Sequence, residues 1–188
     1  MAHEARGLAP EKIVAAEISR VVEKLDQGEV EQLVDAVLDA ARVFAYGAGR
    51  SGLVIRAFAM RLGHLGLNAW VVGDTTTPAI GPGDLLIAAS GSGRTRTTLA
   101  IVEAARERGA RTACITAHPD SPIAQGCDLV VTIPAPVTKV DRDRPSVQPP
   151  GSLFEQCLLV LCDGMVMRLM RRLGTTEEEM RARHTKLE

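Results

Sequence analysis

The sequence predicts an α/β fold: a three-layer sandwich in which a five-stranded parallel sheet is flanked by helices. Five short apolar runs rich in β-branched residues each end in a small or turn-forming residue. Segments with apolar residues at helical spacing lie between most of these runs. The runs are too apolar for a strand face to meet water, which is typical of a parallel sheet covered on both faces.

The elements follow one another in order along the chain. Residues 1–41 are predicted to form a leading pair of helices, because apolar residues recur at helical spacing after Pro10 and again after Gly28. Residues 42–133 are predicted to form the α/β core, with strands at 43–46, 69–72, 85–89, 112–116 and 129–133. The helices predicted within this core are 51–62, 95–108 and a short one near 121–125.

The last part of the chain breaks this alternation. Residues 134–151 hold five of the ten prolines and are predicted to form a long polar loop, of a kind that is usually mobile or functional. Residues 152–188 are predicted to form C-terminal helices. The first of these, 153–173, is apolar on nearly every side, which predicts burial within the subunit and contacts between subunits. A short charged helix follows at 176–183, and residues 1–188 are predicted to form one domain.

Composition excludes several classes of partner. The 22 basic residues are balanced by 23 acidic ones, whereas a nucleic-acid-binding surface normally carries excess Lys and Arg, so we expect no nucleic acid partner. No apolar run approaches the roughly 18 residues that span a bilayer, and the first residues do not resemble a signal peptide. We therefore expect a cytoplasmic protein with no membrane partner.

The four cysteines do not have the spacing of a functional motif. They form neither a C-x-x-C redox pair nor a zinc-ligand set, and most lie among aliphatic neighbours. We therefore expect small core residues in a reducing compartment and no metal site. The cysteines are Cys114, Cys127, Cys157 and Cys162.

Two strand ends carry unusual loops, and ligands of open parallel sheets bind beyond the carboxyl ends of the strands. The first predicted strand is followed by Gly47-Ala48-Gly49-Arg50-Ser51-Gly52. This loop matches G-x-G-x-x-G, with Asp74 in the place of a ribose-binding carboxylate, and so fits a dinucleotide site. It equally fits a tight turn from strand to helix that merely requires small residues. The second loop counts against a dinucleotide, because that fold does not require it.

The second loop, Ser90-Gly91-Ser92-Gly93-Arg94-Thr95, follows the third predicted strand and leads directly into a helix. It offers three hydroxyl groups, and its two glycines allow backbone N–H groups to approach a ligand. The positive end of the helix dipole favours an anion there. The sequence therefore predicts binding of a phosphate monoester. The alternative is a helix N-cap beside flexible glycines, but a cap accounts for only one of the three hydroxyls.

The two loops together resemble the sugar isomerase (SIS) domain family and, within it, the 6-phospho-3-hexuloisomerases. The segments Gly73-Asp74-Thr75-Thr76-Thr77-Pro78 and Gly151-Ser152-Leu153-Phe154-Glu155, the ending 183–188, the leading helices and the chain length add to this resemblance. It implies an SIS-type, flavodoxin- or Rossmann-like fold. The implied reaction converts D-arabino-3-hexulose 6-phosphate into D-fructose 6-phosphate through a 2,3-enediolate, in formaldehyde fixation. It also implies a homotetramer, and the chemistry requires no cofactor or metal.

Two residues are candidates for catalysis. Glu155 is the only carboxylate between Asp143 and Asp163, at the start of an apolar helix. The motif Ser152-x-x-Glu155 alone favours a capping box, but the resemblance places a catalytic glutamate here. His184 alone fits a solvated side chain, whereas the resemblance implies that it reaches an active site, that of a neighbouring subunit.

The residues expected to bind substrate lie in the two loops. Arg50 would neutralise substrate oxygens, or could equally point into solvent, and Asp74 and Thr75 would hold sugar hydroxyls. The full set expected to bind substrate comprises Gly49, Arg50, Ser51, Ser90, Gly91, Ser92, Gly93, Arg94 and Thr95.

Three other functions remain open on the sequence alone. One is an SIS-type isomerase of a heptose or pentose phosphate, because a phosphate loop does not measure the sugar chain. Another is a non-catalytic sugar-phosphate-binding module, which would not need Glu155. The third is a dinucleotide-binding domain, which would depend on Asp74.

Overall fold

A computed structural model describes residues 9–137 and 146–185. Five strands form one sheet in the order β2-β1-β3-β4-β5, and every neighbouring pair is parallel. This confirms the predicted fold class and places each strand within a residue or two of its predicted bounds. The strands are β1 Val43–Gly47, β2 Ala69–Val71, β3 Leu85–Ala89, β4 Arg111–Thr116 and β5 Leu129–Thr132.

The helices also follow the predicted order, and several begin where their sequence places a start signal. Pro10 and Pro122 lie in the first turns of their helices, where the missing N–H costs nothing. Asp26 caps α2 by accepting hydrogen bonds from the N–H groups of Gly28 and Glu29. The helices are α1 Pro10–Val22, α2 Gln27–Asp39, α3 Gly49–His64, α4 Arg96–Glu107, α5 Pro122–Gln125, α6 Ser152–Leu173 and α7 Glu177–Ala182.

Alternate residues of each strand point to opposite faces of the sheet, and helices cover both faces. Val43 and Ala45 of β1 belong to an apolar cluster that includes side chains of α1, α2, α3 and α6. Phe44 of the same strand belongs to a second cluster with α4 and α5. The three layers are therefore helices, sheet and helices, with the larger helical layer on one side.

The connection from β2 to β3 covers its part of the sheet without a helix. Residues 72–84 cross over β1 in turns and extended chain. An irregular crossover fills the space above the sheet less completely than a helix would. A cavity of about 150 Å³ remains between Phe44 and Leu86 of the sheet and Ile101 of α4.

Helix α6 is buried along most of its length but not around its whole circumference. Leu153, Phe154 and Leu158 are core residues, whereas Leu159 and Met167 are exposed in the single chain. The prediction of burial within the subunit is thus confirmed for one side of α6. None of the described helices is long and apolar enough to cross a bilayer.

The predicted loop 134–151 contains no helix or strand in its described parts, 134–137 and 146–151. Residues 138–145, which include its charged cluster, lie outside the described residues, as does the end of the chain from 186. None of the four cysteines forms a disulfide bond, and three of them are buried.

Candidate active site

The two loops singled out in the sequence begin side by side. In the β1–β3 pair, Gly47 at the end of β1 is aligned with Ala89 at the end of β3. The chain leaves β1 toward β2 on one side and then returns across β1 to β3 on the other side, so the connections after β1 and after β3 run in opposite directions across the sheet. Such a switch point opens a crevice at the carboxyl ends of the two strands. The structure therefore brings Arg50, Ser51 and the segment 90–95 to one edge of the sheet.

Gly91 and Gly93 are required by the shape of the second loop. A Cβ on Gly91 would lie 2.7 Å from Val137 Cγ1 and 3.0 Å from Phe154 Cδ1. Gly93 has a φ of +61°, and a Cβ there would overlap Ser121 Oγ. The loop is thus enclosed by the chain after β5, the first turn of α6 and the start of α5.

Main-chain hydrogen bonds hold the second loop from behind. The carbonyl oxygen of Gly91 accepts from the N–H of Ala117 at 3.1 Å and from Thr116 Oγ1 at 3.3 Å. The carbonyl oxygen of Gly93 accepts from the N–H of Ile123 at 3.1 Å. The N–H of Gly93 donates to the carbonyl oxygen of Ser90 at 3.0 Å, so it is already used inside the loop. A loop fixed in this way needs no further ordering to bind a ligand through its remaining N–H groups, which lowers the entropic cost of binding.

The hydroxyl groups of the loop do not cap helix α4. Thr95 occupies the N-cap position, but no side chain in the described residues makes a capping hydrogen bond there. Its Oγ1 lies 3.1 Å from Ser90 Oγ, and Ser92 Oγ accepts a hydrogen bond from the N–H of Arg94 at 3.3 Å. The capping alternative is therefore not formed, and the first N–H groups of α4 remain available to an anion.

Glu155 is not part of a capping box. Helix α6 begins at Ser152, so its N-cap is Gly151, and no side chain of the described residues caps this end. The Glu155 carboxylate instead accepts a hydrogen bond from Arg50 Nε and forms an ion pair with it. Its side chain is only 14% exposed, whereas that of Arg50 is 65% exposed. The neighbouring Phe154 packs on Gly91, so Glu155 follows a residue that contacts the loop 90–95.

Arg50 therefore faces Glu155 and is not simply solvated. It is the second residue of α3, and Ser51 follows it in the same turn. Gly52 lies close against the carbonyl oxygen of Gly47, where a Cβ would clash, which accounts for this glycine by packing alone. The glycine pattern of the first loop thus needs no dinucleotide to explain it.

Asp74 follows β2 at the same edge of the sheet, but its carboxylate already has a partner. Arg56 Nη2 donates a hydrogen bond to Asp74 Oδ1 at 2.8 Å, and both side chains are about half exposed. A dinucleotide would have to compete with this ion pair for the carboxylate. Thr75 beside it is exposed, and the binding of sugar hydroxyls by these two residues stays a prediction.

His184 does not lie near Glu155 within one chain. Its ring stacks on His64, with 4.4 Å between ring centroids, and Arg183 Nη1 donates to the carbonyl oxygen of His64 at 3.2 Å. His64 is the last residue of α3, whereas Arg50 is near its start, so about 21 Å of helix separates the two ends. Any contact of His184 with Glu155 therefore requires a second chain.

His64 is the titratable residue whose surroundings the sequence did not reveal. It is buried, and its Nδ1 has no hydrogen-bond partner within the described ranges. Burial lowers its pKa, and the charges of His184 and Arg61 lower it further. Its sequence position suggested an ordinary helix-face residue, because nothing in the local pattern shows that the C-terminal segment folds back onto α3.

Other residues that shape the site also lacked a clear signal. Ser121 precedes a proline and a short helix and would be interpreted as a simple N-cap, yet it packs against Gly93. Thr116 is the last residue of a buried strand, yet its hydroxyl holds the carbonyl of Gly91. Within 9–137 and 146–185, no group of three or more His, Cys, Asp or Glu side chains is arranged to hold a metal ion.

Comparison with known proteins gives consistent results. The family model described as the SIS domain matches residues 37–148. A 3-hexulose-6-phosphate isomerase of Mycobacterium gastri is 45% identical, over 94% of this chain and 88% of that protein. A protein of the same name from Bacillus subtilis is 40% identical, over 85% and 87%.

A solved structure from Methanococcus jannaschii extends the likeness to three dimensions. It superimposes with a TM-score of 0.83 at 32% identity, covering 96% of this chain and all of the other. The report of that structure inferred a molecular function of 3-hexulose-6-phosphate isomerase for it.

Proposed function

The chain belongs to the SIS domain family, and we propose that it isomerises D-arabino-3-hexulose 6-phosphate to D-fructose 6-phosphate. One observation carries this proposal: Glu155 is ion-paired with Arg50 and stands next to Phe154, which packs on Gly91 of the phosphate loop. A partly buried carboxylate thus lies beside an anion-binding loop. The names of the relatives in M. gastri and B. subtilis supply the substrate.

The substrate phosphate binds at the loop after β3. The hydroxyls of Ser90, Ser92 and Thr95 donate to it, and the free N–H groups at the start of α4 add further donors. Ser51 contributes from the adjacent loop. Hydrogen bonds to a charged group contribute about 1.5–3 kcal/mol each, so a few of them are sufficient to anchor a small sugar phosphate without a lysine-rich surface.

Glu155 then acts as the base. The reaction moves the carbonyl from C3 to C2, so the carboxylate takes the proton from C2 and later returns it to C3. As Glu155 becomes neutral, the negative charge moves to the enediolate oxygens, and the guanidinium of Arg50 beside them stabilises that charge. The proton of the C2 hydroxyl moves to the former carbonyl oxygen on C3, which leaves a carbonyl on C2 and a hydroxyl on C3, so atoms and electrons balance within the sugar.

We further propose that the active protein is a homo-oligomer, a tetramer as the resemblance implies. Exposed apolar side chains about two helical turns apart support an interface: Leu53 and Met60 on α3, and Val160 and Met167 on α6. His184, stacked on His64, would serve the site of a neighbouring subunit.

We place the reaction in the cytoplasm, in formaldehyde fixation by the ribulose monophosphate pathway, with neither a nucleic acid nor a membrane as partner.

A coupled assay tests the function. Ribulose 5-phosphate and formaldehyde are supplied with the condensing synthase, and fructose 6-phosphate is measured with and without this protein. We expect product only when both proteins are present. Lack of product would overturn the proposal, and turnover of a heptose or pentose phosphate instead would identify another isomerase of the same family.

A binding measurement separates the remaining alternatives. Thermal stabilisation by a sugar phosphate without any turnover would indicate a sensing module. Stabilisation by NAD but not by sugar phosphate would indicate a dinucleotide-binding domain.

A further inference from the structure

Glu17 places a carboxylate on the buried side of α1. It stands four residues, about one turn, before the core residue Val21, and it is only 9% exposed. A buried carboxylate is costly unless hydrogen bonds compensate it. The hydrogen-bond partners of Glu17 therefore show which segment of the chain its carboxylate holds in place.

The compensation comes from the segment that leads into α6. Glu17 Oε2 accepts from Ser146 Oγ at 2.6 Å and from Gln148 Nε2 at 2.9 Å, and Oε1 accepts from the N–H of Val147 at 3.2 Å. Ser146 Oγ also accepts from the N–H of Gln148 at 3.1 Å. Burial raises the pKa of Glu17, but these hydrogen bonds and nearby Arg20 lower it, and the net pKa is below its ordinary value.

The hydrogen bonds between Glu17 and residues 146–148 are here called the clamp. The chain from the clamp to Glu155 is short and stiff. Pro149 and Pro150 follow Gln148 directly, and each has a fixed φ. The N–H of Ser152 donates to the carbonyl oxygen of Pro149 at 3.1 Å, and that of Glu155 donates to the carbonyl oxygen of Gly151 at 3.1 Å. The position of Gln148 is thus transmitted through a turn to the first turn of α6.

We propose that Glu17 is a positioning residue for the isomerase reaction, because its carboxylate fixes residues 146–148 and through them the first turn of α6, which carries Glu155. This inference rests on the proposed function. The hydrogen bonds behind the phosphate loop come from Thr116, Ala117 and Ile123, none of which belongs to the clamp. Phe154 of the first turn of α6 also packs on Gly91, but this apolar contact is not one of those hydrogen bonds. Loss of the clamp should therefore disturb the base more than the binding of the phosphate.

The test compares Glu17→Gln with Glu11→Gln, a matched change at an exposed position of the same helix. Glutamine keeps the size of the side chain but presents an amide N–H₂ where the clamp needs an acceptor. We expect kcat to fall about tenfold or more in E17Q, because a displacement near 1 Å can cost about a hundredfold. KM should change less than about threefold, and E11Q should match the wild type.

Ser146→Ala keeps the test valid if E17Q folds poorly, because it removes a donor from the clamp and leaves α1 intact. It should lower kcat in the same direction, and combining it with E17Q should cost no more than E17Q alone. A kcat within twofold of wild type in folded E17Q, or an increase in KM without a loss of kcat, would overturn the inference.

Hydrogen exchange separates this inference from the proposed function. In E17Q the amides of Val147 and of residues 152–155 should exchange faster than in E11Q, whatever reaction the protein catalyses. Unchanged exchange in these amides would refute the clamp. An inactive wild type with faster exchange in E17Q would refute the function alone.

Discussion

Arg50 of α3 and Glu155 of α6 form an ion pair across 105 positions of sequence. The exposed guanidinium meets a carboxylate that is mostly covered by protein, so the pair stands at the border between the core and the crevice. A base in this position can reach a substrate while a fixed positive charge lies beside it.

Replacing Glu155 by Gln tests the base directly. Glutamine keeps the shape and cannot accept the proton, so we expect kcat to fall by about 10²–10⁴-fold. Glu178→Gln, at an exposed position of α7, is the matched control and should retain activity. Turnover is measured in the coupled assay and folding by circular dichroism. Full activity in folded E155Q would remove Glu155 from the mechanism.

Thr95→Val tests the phosphate loop. The change removes the hydroxyl that lies 3.1 Å from Ser90 Oγ and keeps the branched shape. Loss of one hydrogen bond to a charged group, about 1.5–3 kcal/mol, should raise KM about tenfold or more. Thr97→Val, at the exposed second residue of α4, keeps the backbone N–H and should leave KM unchanged. Equal KM values in the two variants would argue against phosphate binding by Thr95.

Gly93→Ala tests the geometry of the same loop. The new Cβ would overlap Ser121 Oγ and would force a left-handed conformation on alanine, so we expect a loss of about 3 kcal/mol or more in the free energy of unfolding. Adding Ser121→Gly should recover part of this loss. The control Gly81→Ala, where a Cβ meets nothing within 4 Å, should change stability by less than about 1 kcal/mol. Urea denaturation measures all three.

His64 makes stability depend on pH. Burial lowers its pKa in the folded chain below the ordinary value of 6.5, with a further contribution from His184 and Arg61, so the unfolded chain binds a proton more readily. The contribution of neutral His64 to the free energy of unfolding is therefore complete above about pH 6.5, and it is lost as the pH falls toward the lowered pKa. In urea denaturation, wild type should lose more stability than His64→Gln between pH 7.5 and 5.5. Parallel curves would contradict the lowered pKa.

The exposed apolar side chains of α3 and α6 predict an oligomer. Met167, 56% exposed, should lie in an interface, so Met167→Glu should lower the mass measured by light scattering after gel filtration. Arg106→Glu, on α4 at the opposite face of the sheet, should leave that mass unchanged. If His184 serves a neighbouring subunit, activity should fall together with the mass. A wild type that is monomeric at assay concentration would contradict the interface.

The elements of the fold and the position of the loop 90–95 could be predicted because their signals are local, whereas phosphate binding by this loop stays a prediction. Periodicity of apolar residues marks each strand and helix, and the glycine and hydroxyl pattern of residues 90–95 lies within six consecutive positions. Parallel strands bring their carboxyl ends to one edge, and the pairing of β1 with β3, which only the structure shows, places the two loops side by side. The sequence could not separate a helix-capping Glu155 from an ion-paired Glu155, because both alternatives place this residue in the first turn of α6 and the partner Arg50 is 105 positions away.

Tertiary packing decided what lies between distant segments. The start of α6 at Ser152 turned Glu155 away from its own backbone and toward Arg50, the return of α7 to α3 stacked His184 on His64, and Glu17 joined α1 to residues 146–148. None of these contacts has a local pattern, because each depends on how segments far apart in the sequence pack. The sequence alone determined the fold and placed residues 90–95 in a loop after β3, whose binding of phosphate stays a prediction; tertiary packing determined the surroundings of the catalytic candidates.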